Sequence, residues 1–129
     1  MGRMGQNVKN TVPTEEQEQI ALFEWAELQS ATYPELKLMF HIPNEGRRSY
    51  AAGKAMKRAG LRSGVPDIFL PAAHGGAHGL FIEMKRQRGS KISPQQKSFL
   101  TELANAGYAA EIAFGWVQAA EIIKEYLSK

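Results

Sequence analysis

The chain of 129 residues contains no cysteine, which excludes disulfides and thiolate metal sites and fits a reducing compartment, expected here to be the cytoplasm. It also lacks any apolar run approaching the roughly 20 residues of a membrane-spanning helix. Its opening "MGRMGQNVKN" has no hydrophobic stretch of the kind that marks a signal peptide. Internal repeats and low-complexity tracts are absent too. Negative charge is missing locally: between Gly46 and Pro66 there is no Asp or Glu at all.

What is present is the make-up of an ordinary globular domain. Hydrophobic residues at 43% and charged residues at 22% suffice for one real core, and 129 residues are too few for two. A formal net charge of +3 leans toward a polyanionic partner, provided the excess is clustered. Residues 1–12 are polar and aperiodic and read as a flexible tail; residues 13–129 read as the folded domain.

In "TEEQEQIALFEWAELQ", Thr14 and Gln17 stand at capping-box spacing and Glu15 and Glu16 fall in the first turn, so a helix starts here. "KLMFHI", stopped by Pro43, reads as a strand. "RRSYAAGKAMKRAG" reads as a basic helix ended by Gly60. "DIFLP" and "LFIEMK" read as an antiparallel strand pair joined by "AAHGGAHG". "SPQQKSFLTELANAG" has Ser93 at an N-cap, Pro94 at the first helical position and Gly107 past the end. "YAAEIAF" reads as a strand and "WVQAAEIIKEYL" as a closing helix, with Val117, Ile122 and Leu127 available for its buried face. The order α-β-α-β-β-α-β-α makes an α/β domain with a mixed sheet flanked by helices.

Side chains alternate along a strand, so in "LFIEMK" Glu83 and Lys85 share one face. Asp67 enters the neighbouring strand directly after Pro66. Two carboxylates and an ammonium at the ends of adjacent strands suit a divalent cation such as Mg²⁺ or Mn²⁺, with the lysine serving hydrolysis of a phosphodiester. Taken alone, a short E-x-K pattern more often describes a surface ion pair. Glu24 lies in the first helix with Ile20 and Leu28 one turn away on the same face, so its carboxylate is expected to point partly inward; a helix-edge glutamate beside an Arg or Lys is the alternative. Gln96 stands three residues after Ser93, where it completes a capping box.

Positive charge is clustered in Arg47, Arg48, Lys54, Lys57, Arg58 and Arg62, and again in Arg86, Arg88 and Lys91. Both groups flank the carboxylates in sequence, as a DNA-phosphate interface requires; a solvated helix face is the alternative. His74 and His78 would suit zinc only on a helix, and the glycines between them argue for a loop, one that is expected to be flexible and to touch substrate. His41 ends the first strand near Asn44 and Glu45, where it could line the site; a purely structural strand-end histidine is the alternative.

These residues, in this order, resemble the VRR-NUC proteins, a branch of the PD-(D/E)xK nucleases, and in particular the small stand-alone versions of phages and prophages. "GVPDIFL", the fifteen residues between Asp67 and Glu83, "IEMK", "SPQQKSFL" and "AGYAAEIAFGWVQAAEII" carry the likeness, together with Glu24 and "HIPNEG". The resemblance implies a restriction-endonuclease-like fold that cleaves phosphodiester bonds with Mg²⁺ or Mn²⁺. It also implies Glu24, Asp67 and Glu83 as acidic metal ligands with the Met84 backbone carbonyl beside them, Lys85 as catalytic lysine, and Gln96 as support for the water or phosphate. A structure-selective DNA endonuclease acting as a homodimer on branched or duplex DNA is the expected activity; a non-cleaving junction-binding module and a nuclease acting on RNA are the alternatives. The loop Pro71–Gly79 is longer and more glycine-rich than the family pattern.

Overall fold

The computed structural model describes residues 11–43 and 50–129. The elements are α1 (Glu15–Gln29), a short 3-10 helix (Pro34–Leu38), β1 (Phe40–His41), α2 (Tyr50–Arg58), β2 (Ile68–Leu70), β3 (Leu80–Lys85), α3 (Pro94–Asn105), β4 (Ala109–Phe114) and α4 (Trp116–Leu127). One sheet runs in the order β1-β2-β3-β4, with β1/β2 and β2/β3 antiparallel and β3/β4 parallel. This is the expected mixed-sheet α/β fold. Asn44, Glu45, Arg47 and Arg48 lie outside the described residues.

β3 carries the architecture. On one of its faces Leu80, Ile82 and Met84 join Ile68, Leu70 and Ala113 in the core. α1 and α4 cover that face, contributing Leu22 and Ala26 from one helix and Ala119, Ala120, Ile123 and Tyr126 from the other. α3 packs against β4 on the opposite side and forms a third layer over the face that bears Glu83. Both sides of the central strand are therefore covered, the usual state of a strand with a parallel neighbour.

Capping fixes where two helices begin. Thr14 Oγ1 accepts from Gln17 N–H at 3.1 Å while Gln17 Oε1 accepts from Thr14 N–H at 2.8 Å. Ser93 and Gln96 repeat the device at α3, at 3.1 and 2.9 Å.

Three sequence expectations need correction here. The strand expected over Lys37–Ile42 shrinks to Phe40–His41, because Leu36 and Met39 are the buried residues and their spacing of three fits a turn of 3-10 helix after Pro34, not an alternating strand. In α4, Val117 is 58% exposed and the core takes Ala119, Ala120, Ile123 and Tyr126. Ile122 and Leu127 do pack against the core, at either edge of that face, but steps of five residues turn about 140° each, which carries Val117 to the outer side. The boundary of the tail also moves: the Val12 carbonyl already accepts a hydrogen bond from Arg86 Nη2 at 2.9 Å.

Candidate active site

The β2/β3 register pairs Ile68 with Ile82 and Phe69 with Phe81; continued by one step, it sets Asp67 opposite Glu83. Met84 N–H points toward β2, where it meets Asp67 Oδ2 at 2.8 Å. Residues 80, 82 and 84 therefore direct their backbone groups at β2. Asp67 and Glu83 are consequently a non-hydrogen-bonded pair, the kind in which Cα atoms approach to about 4.5 Å and side chains crowd together. In register with Met84 comes Pro66, buried and without an N–H, so the Met84 carbonyl at this sheet end has no ladder donor opposite it. It faces the same edge as the Asp67 carboxylate.

Glu83 and Lys85 share the other face of β3 with exposures of only 2% and 7%. The alternative of a surface ion pair is thereby overturned. Lys85 Nζ stands 3.7 Å from Glu83 Oε2. The same oxygen accepts from Gln96 Nε2 at 2.9 Å, while Gln96 Oε1 holds Ser93 N–H. Capping and contact with the acid are thus not alternatives, since one amide does both.

Two crowded carboxyls in a dry place hold protons tightly. Burial, then the Asp67 charge, push Glu83 from 4.5 up to about 8, against the opposing pull of Lys85. Burial likewise raises Asp67, opposed by its hydrogen bond from Met84 and by the charges of Lys85 and His41. With both groups ionised, Glu83 Oε1 is buried and has no hydrogen-bond partner. When Glu83 is protonated, its hydroxyl has Asp67 as acceptor. The place between the two carboxyls thus calls for a positive charge, a proton or a cation.

That demand is the test of fit for a divalent ion, and the donors pass it. Asp67, Glu83 Oε1 and the Met84 carbonyl are hard oxygen donors, and Mg²⁺ is usually held by one or two carboxylates while keeping several waters. Among the described residues no group of three or more His, Asp or Glu is close enough to hold a metal. The donors that would hold such an ion are therefore two carboxylates and a carbonyl.

The remaining candidates are placed as follows. Glu24 is exposed, between Ile20 at 52% and Leu28 at 81%, on the outer face of α1. The inward face runs through Glu18, Leu22 and Ala26. The acid of α1 whose charge reaches Glu83 is Glu15, nine residues from Glu24 and so half a revolution around the helix. Glu24 was expected among the ligands; it lies on the exposed face of α1, turned away from the face that carries Leu22 and Ala26 onto the sheet. His41 lies near enough for its charge to bear on Asp67.

Loop Pro71–Gly79 sits at the Leu80 end of β3, about 14 Å along the strand from Met84 at 3.4 Å per residue. It does not reach the acids. It is tied down by His74–Ala77 backbone bonds, His74 Nε2 to Glu35 Oε2 at 3.0 Å, and His78 N–H to the Gly107 carbonyl at 2.9 Å. The flexible loop expected from its glycines is corrected accordingly: it is anchored. Among the basic residues, Lys54, Lys57, Arg58, Arg62, Arg88 and Lys91 are exposed. Arg86 is half-buried and donates Nε to Pro13 O at 3.2 Å and Nη2 to Val12 O at 2.9 Å. It anchors the entry to α1 and has fewer donors left for phosphate.

Two residues that join α1 to the end of β3 escaped sequence reading: Glu18 and Gln87. The available signal was phase, because Glu15, Glu18, Leu22 and Ala26 fall at i, i+3, i+7 and i+11.

Comparison with known proteins agrees with this geometry. The VRR-NUC domain family model matches residues 13–115. A solved structure described as a "VRR_NUC domain protein" is similar at a TM-score of 0.80 and 29% identity, over 92% of this chain and 91% of the other. No curated protein matches the chain.

Proposed function

Because the chain belongs to the VRR-NUC domain family, a nuclease-type family, we propose that it is a Mg²⁺- or Mn²⁺-dependent endonuclease acting on DNA, selective for branched or junction structures. The observation that carries this reading is the buried Asp67–Glu83 pair, with Glu83 Oε1 unpartnered and the Lys85 ammonium beside it. Bound by Asp67, Glu83 and the Met84 carbonyl, the ion supplies Lewis-acid stabilisation of phosphoryl charge and makes water more acidic.

The chain's own residues do the rest. Gln96 holds Glu83 Oε2 and so fixes which way Oε1 points. A divalent ion together with the Lys85 ammonium outweighs the two carboxylates, which leaves the site positive toward a phosphodiester. The Lys85 ammonium provides charge for the phosphoryl oxygens and a hydrogen bond that orients the attacking water. Exposed Lys57, Arg58, Arg62, Arg88 and Lys91 supply the backbone contacts that position the strand. Exposed Ile20 and Leu28 on α1 are apolar surface that a homodimer would cover.

The test is cleavage of linear, flap, nicked and four-way DNA with each ion, beside Lys85→Ala. Cutting is expected from the native chain, and Lys85→Ala should lose it while still binding DNA in a gel-shift assay. Cleavage that persists in Lys85→Ala would refute the role of Lys85. No cutting of any substrate by the native chain would instead leave a DNA-binding module, and cutting of RNA alone would redirect the substrate.

A further inference from the structure

Among the described Phe, Tyr and Trp side chains, only Phe40 and Phe114 are exposed, at 48% and 41%. They stand on the outermost strands of the sheet, β1 and β4. Register puts both on the face that carries the acids: Phe40 pairs with Phe69 and Phe69 with Phe81, which lies on the same side of β3 as Glu83, while Phe114 pairs with Lys85 itself. Three inter-strand spacings separate the two rings across the sheet and the step from Phe81 to Lys85 separates them along it, about 14 Å each way or about 20 Å corner to corner. Asp67 and Glu83 lie on the two middle strands, with Glu83 midway between Phe81 and Lys85, so the pair sits at the centre of that diagonal.

Neither ring is loose. Phe40 meets Phe69 edge to face at 5.8 Å, Phe69 stacks on Phe81 at 4.2 Å, and Tyr108 backs both of the latter at 6.0 and 5.3 Å, so Phe40 is the open end of an aromatic row. At the other corner Gln118 Oε1 accepts the Phe114 N–H at 2.8 Å, and the Gly115 N–H that follows bonds the Lys85 carbonyl at 2.9 Å. The charged ground between the rings decides what covers them. Asp67, Glu83 and Lys85 interrupt any continuous apolar patch, and the core of a protein–protein interface is depleted of charge. A single nucleic-acid strand matches the alternation, since its bases seek aromatic faces and its phosphates seek cations. Exposed Arg62 precedes Asp67 and exposed Arg88 follows Lys85, adding positive charge beside the diagonal in sequence.

We propose that Phe40 and Phe114 each stack a nucleobase of an unpaired DNA strand laid diagonally across the sheet, so that the phosphates between those bases are brought over the Asp67–Glu83 pair. The inference rests on the DNA-nuclease reading above and gives it a source of structure selectivity. Bases paired and stacked within a duplex have no free face to offer, whereas flaps and branch points expose theirs.

The test is binding of a dT oligonucleotide, a flapped duplex and a fully paired duplex, with EDTA present so that no strand is cut, read by fluorescence anisotropy for the native chain, Phe40→Ala and Phe114→Ala. Stacking of one base on one aromatic ring is worth about 5- to 150-fold in affinity. Each variant should lose that much on the oligonucleotide and the flap, hold native affinity for the paired duplex, and keep the native slope of log affinity against log salt, because no phosphate contact is lost. Equal losses on paired and unpaired DNA, or no loss on the oligonucleotide, would overturn the proposal. Phe40 also packs on Phe69, so Phe40→Leu covers the case in which Phe40→Ala fails to fold: it keeps an apolar side chain, removes the ring, and should lose affinity for unpaired DNA all the same. Native affinity in Phe40→Leu would overturn the stacking role. A second copy of the chain is the rival occupant, and a variant that lowers the oligomeric state in sedimentation would overturn the proposal in its favour. Absence of binding to all three DNAs by the native chain would overturn the DNA-nuclease reading and this inference together, whereas native binding with insensitive variants would overturn only the latter.

Discussion

Replacing Glu83 by glutamine should stabilise the metal-free protein at neutral pH while removing its hold on a divalent ion. The folded chain raises Glu83 from 4.5 to about 8, so between those values the native state keeps a proton that the unfolded chain has released. Stability then falls as pH rises, by about 1.4 kcal/mol per unit, from nothing below 4.5 to about 3 kcal/mol at pH 7. An amide in place of Glu83 carries no such proton. Its oxygen can still accept from Gln96, and its NH₂ can donate to Asp67 in place of the lost hydroxyl. Urea unfolding with EDTA, run from pH 4.5 to 8.5 on both proteins, reads the difference directly, because titrating groups away from the Asp67–Glu83 pair cancel. The gap should open steadily in favour of Glu83→Gln and level off above pH 8. Adding Mn²⁺ should restore the native chain by mass action and leave the variant unchanged. A gap that stays flat with pH would refute the claim that Glu83 and Asp67 share a proton in the free protein.

Four further outcomes follow from the geometry. Lys85→Ala should abolish cleavage while DNA binding survives, as read by the substrate panel and gel shift. Glu24→Ala, on the outer face of α1, should change stability by no more than about 0.5 kcal/mol and leave cleavage intact. Gly64→Ala should destabilise by about 1–3 kcal/mol in urea unfolding. Its φ is +89°, and a Cβ would lie 2.4 Å from the Gln95 carbonyl oxygen and 3.0 Å from Gln96 N, so Gln96 must shift off Glu83 and cleavage should fall as well. Arg62→Ala and Arg88→Ala should each weaken DNA binding and lower the slope of log affinity against log salt by about 1, as fluorescence anisotropy at several salt concentrations would show.

The sequence made local features legible and left phase and long-range contacts hidden. Capping residues acting over three positions placed both Thr14 and Ser93, and period-two alternation put Glu83 and Lys85 on one face. Burial of that face was not legible, because it depends on α3, whose Gln96 arrives from thirteen residues away. Glu24, with apolar Ile20 and Leu28 one turn away on either side, reads as an inward-facing acid. α1 carries apolar residues on both sides, so hydrophobic neighbours do not reveal which side faces the sheet. The buried Glu18 settles the phase, and only contact with Trp116 and Gln87, 98 and 69 residues away, explains why an acid sits there. Arg86 was misread for a related reason: a run of basic residues shows charge but not whether a guanidinium is already engaged by carbonyls of a distant segment.

The Pro-Asp step explains why the candidate ligands gather at one end of the sheet. A residue with an N–H at position 66 would continue the β2/β3 ladder and occupy the Met84 carbonyl. Proline has none, so pairing stops there and that carbonyl is left facing the sheet edge. The Met84 N–H would be orphaned by the same break, and the Asp67 side chain accepts it. That bond sets one Asp67 oxygen in the plane of the sheet, while the non-hydrogen-bonded register brings Glu83 against it. Two carboxyls and a carbonyl then converge where no backbone donor remains to satisfy them. Burial raises both carboxyls and the Asp67 charge raises Glu83 further, and the same arrangement makes the place attractive to a cation, so any substitution that relieves the first should weaken the second.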